Sequence, residues 1–182
     1  MSLATPSDDL LGGDLSGITL ILGGARSGKS AYAEKLVEDA GGGVYLATGT
    51  ASDEEMSDRI ALHQARRGST WTTREESLNI AGSLAELNNQ SVPVLVDCLT
   101  LWMSNLMVED RKIESEIDAL INVLHHVSNP IVLVSLEIGL GIVPENKLAR
   151  LYRDHVGRMN QAVAAMADSV LFITAGLPLK LK

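Results

Sequence analysis

Apolar positions along the chain follow two alternating rhythms. Short unbroken runs, at Ile18 to Leu22, Val44 to Thr48, Val92 to Val96, Ile131 to Leu136 and Val170 to Thr174, have the length of strands buried on both faces. Between them lie longer stretches in which apolar residues recur every three or four positions, as one face of a helix requires. Lys29 to Ala40 carries Ala33, Leu36 and Val37, and Ile113 to Val127 carries Ile113, Ile117, Leu120 and Leu124. A long helix is expected from Pro144 or Glu145 to Ala167, with Leu148, Leu151, Val156, Met159 and Val163, and Pro144 is acceptable at or near its first turn. Further helices are expected over Ser77 to Leu87, over Leu99 to Met107, and from Ser52 to about Arg67, where Glu55 completes a capping box. Thr70 to Thr73 around Trp71 reads as a short strand. Gly41-Gly42-Gly43 stops the first helix, and Ala175-Gly176 joins Val170 to Thr174 to a last strand, Leu177 to Leu181, as a hairpin.

Strands and helices in alternation, with strands apolar throughout, specify an α/β fold with a mostly parallel sheet covered on both faces. The chain shows no repeat or linker, so residues 17–182 are expected to form one catalytic domain behind a loose tail at 1–16. The N-terminus has neither a basic segment nor a long apolar run, which predicts no signal peptide and no membrane anchor. A net charge of −8 argues against a nucleic-acid partner, which would ask for a basic face, so any phosphate site must be local. The lone Cys98 rules out an internal disulfide framework and a cysteine-rich zinc site, and suits a reducing compartment such as the cytoplasm.

One such local site is evident. Gly23-Gly24-Ala25-Arg26-Ser27-Gly28-Lys29-Ser30 satisfies G-x-x-x-x-G-K-[ST] between a predicted strand and a predicted helix. The glycines let backbone N–H groups turn inward, the helix N-terminus adds a positive dipole end, Lys29 reaches the β and γ phosphates, and Ser30 offers a hydroxyl to Mg²⁺. A second Mg²⁺ acid is expected at the end of a buried strand. Asp97 after Val92 to Val96 is favoured, with Glu137 after Ile131 to Leu136 as the competitor.

The type of nucleotide enzyme depends on other residues. A regulatory GTPase would carry N-K-x-D, whereas Asn146-Lys147-Leu148-Ala149 lacks the aspartate. A small-molecule kinase could use Arg66-Arg67, or Arg150 and Arg153, to stabilise a transferring phosphoryl group. His63 shares a predicted helix face with Met56 and Ile60, with Arg59, Arg66 and Arg67 a turn away. A histidine among arginines can attack a phosphate, and a packing histidine would also satisfy this spacing.

Taken in order, GGARSGKS at 23–30, Arg59-Ile60-Ala61-Leu62-His63, Trp71-Thr72-Thr73-Arg74-Glu75, Asp97-Cys98-Leu99-Thr100-Leu101-Trp102 with Asn105, and Glu137 to Asn146 (EIGLGIVPEN) resemble one family. It is the bifunctional adenosylcobinamide kinase and adenosylcobinamide-phosphate guanylyltransferase, and the resemblance runs from about Ile18 to Lys182. It implies a RecA-like P-loop NTPase fold, a three-layer sandwich, commonly assembled as a homotrimer. It also implies two stages: phosphorylation of adenosylcobinamide by a nucleoside triphosphate, then attack of His63 on GTP to hold GMP until the corrinoid phosphate takes it. Nucleotide contacts are implied at Gly23 to Ser30, at Ala47, Thr48 and Gly49, at Gln64, Ala65, Arg66 and Arg67, and at Glu75 and Asp97. Many relatives carry an asparagine where this chain has Leu136, which removes a polar group beside the substrate loop.

Other conspicuous residues read as structural. Cys98, His155, Trp71 and Trp102 are expected in the core or a pocket wall. His125 and His126, late in a helix, are expected at least partly exposed, without metal.

Overall fold

The computed structural model describes residues 15–49, 68–88, 90 and 92–182. The expected tail up to residue 14, and the expected helix from Ser52 to Arg67 with His63, Gln64, Ala65, Arg66 and Arg67, lie outside the described residues.

Seven strands form one sheet in the order β3-β2-β4-β5-β1-β6-β7. These are β1 (Ile18–Gly23), β2 (Gly43–Ala47), β3 (Trp71–Glu75), β4 (Val94–Asp97), β5 (Ile131–Leu136), β6 (Ser169–Thr174) and β7 (Leu177–Lys180). The first six are mutually parallel, and β7 alone runs antiparallel, against β6. Five described helices cover the faces: α1 (Lys29–Asp39), α2 (Ile80–Leu87), α3 (Leu99–Val108), α4 (Ile113–Leu124) and α5 (Lys147–Met166). The mostly parallel sandwich expected from the alternation is the fold observed.

Strand side chains alternate between the two faces, and the core divides accordingly. Leu20, Leu22, Leu46, Val96 and Leu133 pack with Leu84, Trp102, Leu120, Val156 and Met159 on the side of α2 to α5. Ile21, Tyr45, Leu95, Val132 and Val134 pack with Ala33 and Val37 of α1 on the other. With apolar neighbours on both sides, Leu20, Ile21, Leu95 and Leu133 are fully buried, which is why these strands read as continuous apolar runs.

Element ends differ from the periodicity where single side chains decide them. Helix α2 begins at Ile80 rather than Ser77: the Glu76 carboxylate accepts the N–H groups of Leu78 and Asn79, and Asn79 Oδ1 then caps Gly82 N. Helix α5 begins at Lys147, because Asn146 accepts from Leu148 N and Ala149 N, an N-cap worth about 1 kcal/mol. That role also accounts for the partial N-K-x-D match at Asn146. Pro93 has no N–H to give the ladder, and β4 starts one residue after it. Helix α4 closes at Leu124, three residues short of Val127, through a tight bond from His126 N to Val123 O. Ala175 (φ 51°) and Gly176 (φ 79°) make the hairpin turn between β6 and β7, the two left-handed residues that a two-residue hairpin favours.

Candidate active site

The carboxyl ends of the parallel strands gather the chemistry. Chain leaves β1 through α1 on one face and leaves β5 through α5 on the other, so a crevice opens between these neighbouring strands, where α/β sheets bind ligands. Residues 23–30 fill the β1 side of it. Arg26 (φ 55°) and Gly28 (φ 96°) are left-handed and alternate with residues of negative φ, the backbone pattern that turns successive N–H groups into an anion-binding nest. At Gly23 a Cβ would stand 2.6 Å from both Ile173 O and Ser27 Oγ, so only glycine fits. The loop is held from below: Gly176 N donates to Ser27 O at 2.8 Å, which braces the cradle on the β6–β7 turn.

Lys29 is 8% exposed, and its Nζ donates to Gly24 O at 3.0 Å, so the ammonium folds back over the loop. Burial lowers its pKa, with Cys98 and Asp97 opposing that shift, which places the Asp97 carboxylate within electrostatic reach of the lysine. Asp97 ends β4 and accepts a hydrogen bond from Tyr45 Oη at 3.0 Å.

Register lines up the remaining expected contacts. Ala47 stands opposite Glu75 on one side and Asp97 on the other, a single row across β3, β2 and β4. Thr48 sets that row in place. Its hydroxyl donates to Cys98 O and accepts from Cys98 N, both at 2.8 Å, its N–H donates to Asp97 O, and its carbonyl accepts from Asn105 Nδ2. Fully buried and bonded within the chain at every polar group, Thr48 acts as a strut that positions Ala47, Gly49 and Asp97. Glu137 goes to the other side: its carboxylate accepts from Gly139 N at 2.8 Å and lines a cleft against α5. Of the two acids, Asp97 is therefore the one whose charge reaches Lys29.

Mg²⁺ needs few protein ligands when it also binds substrate phosphates, and it prefers hard oxygen donors. The Ser30 hydroxyl, on the first turn of α1, and the Asp97 carboxylate are donors of that type beside the cradle.

The family description cobinamide kinase / cobinamide phosphate guanyltransferase, CobU, matches residues 19–181. The chain belongs to the CobU family. A bifunctional adenosylcobalamin biosynthesis protein, CobP of Pseudomonas aeruginosa, is 47% identical over 166 residues, which cover 90% of this chain and 96% of that one. CobU of Salmonella typhimurium, also named bifunctional, is 37% identical over 178 residues, 90% of this chain and 98% of the relative. Among solved structures, the KaiC-like protein PH0186 of Pyrococcus horikoshii matches with a TM-score of 0.56 at 14% identity, over 92% of this chain and 77% of that one. At that identity the likeness concerns the fold, which is the RecA-like P-loop NTPase sandwich.

Within this CobU-family chain, Leu136 shares the α1 side with Val134 and packs against its apolar cluster. Its backbone carbonyl accepts from Asn160 Nδ2 at 3.0 Å, and its N–H makes a longer bond of 3.4 Å to Thr100 Oγ1. Asn105, Tyr45 and Tyr152, which bonds Thr100 O, support the site without having been singled out for a role by their spacing. For Tyr45 and Asn105 a signal existed: a polar tip on a residue inside a mainly apolar run.

The residues read as structural are so placed. Trp102 is 1% exposed and donates to Leu78 O, Trp71 meets Tyr45 edge-on at 6.2 Å, His155 is buried in α5, and His125 and His126 are exposed. Burial, then the Asp97 charge, push the Cys98 thiol from 9.0 up to about 11. A raised thiol pKa means that the folded state favours the neutral form. The resulting stability is complete below pH 9 and lost as pH rises toward 11. Melting curves from pH 8 to 11 should therefore fall more steeply for wild type than for Cys98→Ala, and iodoacetamide at pH 8 should leave native Cys98 unmodified.

Proposed function

We propose that this chain phosphorylates the aminopropanol hydroxyl of adenosylcobinamide with a nucleoside triphosphate, and then transfers GMP from GTP through His63 to form adenosylcobinamide-GDP. The observation that carries this reading is the phosphate cradle at 23–30 with the Asp97 charge at Lys29, in a chain that matches the cobinamide kinase and guanyltransferase family over residues 19–181.

In the first step the alcohol oxygen bonds to the γ phosphorus, the bond to the β–γ bridging oxygen breaks, the nucleoside diphosphate leaves and the hydroxyl proton is released. The inward N–H groups of 23–30 and the Lys29 ammonium stabilise charge that grows on the phosphoryl and bridging oxygens. In the second, an imidazole nitrogen of His63 bonds to the α phosphorus of GTP and pyrophosphate departs; a phosphate oxygen of the corrinoid then displaces the histidine. Two displacements replace one difficult transfer. Mg²⁺, when held by Ser30 and Asp97, supplies neutralisation of the departing phosphates. Ala47, Gly49 and Glu75 border the same end of the sheet and contact the nucleotide, as do Gln64, Ala65, Arg66 and Arg67. The same likeness supports a homotrimer working in the cytoplasm.

Mass spectrometry of the corrinoid after incubation with GTP and Mg²⁺ tests this directly. Starting from adenosylcobinamide, the expected product is adenosylcobinamide-GDP; starting from its phosphate, the same product should form without the kinase step. Accumulation of the phosphate alone would identify a monofunctional kinase, and GTP hydrolysis without any corrinoid product would identify a GTP-binding regulator.

A further inference from the structure

Helix α5 carries a glycine that its own fold does not require. Gly157 lies in the helix interior with negative φ, and among the described residues nothing comes within 4 Å of where its Cβ would be. A helix-interior glycine lowers stability relative to alanine, and here neither a close packing partner nor a special backbone angle calls for it. What Gly157 does face is an open cleft of about 680 Å³, a size typical of small-molecule sites. Gly139 and Gly141, on the loop opposite, line the same cleft, and a Cβ at Gly141 would likewise meet nothing within 4 Å. At Gly139 a Cβ would stand 2.9 Å from Glu137 Oε1, so that glycine serves its own turn, whereas Gly141 and Gly157 leave the cleft lining bare with no such cause, as close approach by a rigid, flat ligand demands.

The position of the cleft indicates what that ligand is. Its inner end is formed by Leu22 and Glu137, and Glu137 N donates to Gly23 O, the first residue of the phosphate cradle, at 3.1 Å. Asp97, Tyr45 and Leu136 share the α1 side of the sheet with the lysine, whereas the cleft opens on the α5 side. A nucleotide seated at the cradle leaves this opening for the second substrate. Leu140 and Ile142, 81% and 97% exposed, offer an apolar rim on the cleft loop. Arg153, only 3.7 Å from Asp154, and the exposed Gln161 offer N–H donors.

We infer that the cleft between the loop 137–143 and helix α5 seats the corrinoid acceptor, with Gly157 keeping the wall bare for the face of the macrocycle. Hydrocarbon edges of the ring meet the apolar rim, and its peripheral amide carbonyls accept from Gln161 and Arg153. The assignment rests on the proposed kinase and transferase activity and specifies where its second substrate binds.

The test is equilibrium dialysis with dicyanocobinamide, read by its visible absorption, for wild type and for Gly157→Ala, Gly157→Leu and Gly157→Phe. Affinity should fall in step with side-chain size, by tenfold to about a hundredfold at leucine. Affinity for a GTP analogue should hold, and Tm should stay level or rise, since any replacement is a better helix former. Unchanged cobinamide affinity across the series, with wild type binding, would overturn the cleft assignment and leave the activity intact. A change in oligomeric state by sedimentation, with cobinamide affinity unaltered, would overturn it in favour of a contact between copies of the chain. Failure of wild type itself to bind cobinamide would remove the proposed activity, and the cleft assignment with it.

Discussion

Replacing Lys29 with methionine is expected to reduce kcat/KM for corrinoid phosphorylation by about a thousandfold or more, with no loss of Tm. The two halves of that expectation have separate physical origins. The lysine stem is almost wholly buried, and methionine, unbranched and of comparable reach, keeps the apolar contacts of the stem. What is lost in the free protein is one hydrogen bond to Gly24 O, together with an ammonium whose charge burial already disfavours, as the lowered pKa records. Those terms oppose each other, so stability should change little. Catalysis has no such compensation: without the ammonium, charge growing between the β and γ phosphates loses the positive side chain aimed at it, which neither the backbone dipoles nor Mg²⁺ replaces. Steady-state kinetics beside thermal denaturation would separate the effects. Activity within tenfold of wild type, at unchanged Tm, would mean that the Lys29 ammonium does not stabilise the transferring phosphoryl group.

Lys29 was legible because phosphate binding demands contiguous residues, and contiguity is what a sequence displays directly. The row Glu75, Ala47 and Asp97 was not legible from spacing: it depends on β2 lying between β3 and β4, a long-range arrangement, although β2 and β4 were recognisable as local apolar runs and β3 as a short strand around Trp71. Likewise, periodicity located α2 and α5, while their first residues depended on whether Glu76, Asn79 and Asn146 turned their side chains back onto nearby N–H groups. Choosing between Asp97 and Glu137 was beyond periodicity for a different reason. Both follow buried strands, and which sheet face each acid serves is fixed only by the pleat and the helix beneath it. Thr48, which the family resemblance places among the nucleotide contacts, also clamps the Cys98 backbone with its hydroxyl, a bond between distant segments that no local spacing displays. Gly157 was visible all along as a glycine inside an amphipathic pattern. Its meaning emerges only once the space in front of it is seen to be open.

Changing His63 to alanine should divide the two proposed activities. The kinase step uses the cradle, Lys29 and the corrinoid hydroxyl, none of which needs an imidazole nucleophile, so phosphorylation should persist within a few-fold of wild type. Guanylyl transfer should fall by about four orders of magnitude or more, the scale seen when an enzyme loses its covalent nucleophile. Adenosylcobinamide phosphate should therefore accumulate where wild type makes adenosylcobinamide-GDP. Intact-mass spectrometry after incubation with GTP and Mg²⁺ should find one GMP on wild type and none on the variant. The linkage should be labile to acid and stable to alkali, as a phosphorus–nitrogen bond is and a carboxylate or serine ester of GMP is not. Alanine leaves the Arg66 and Arg67 charges in the sequence, so loss of nucleotide attraction would not explain a missing adduct, and GTP affinity measured in parallel would show this. An adduct of undiminished yield on His63→Ala would assign the nucleophile to another residue and return His63 to packing. Equal loss of both activities would instead tie His63 to a nucleotide site that the two steps share.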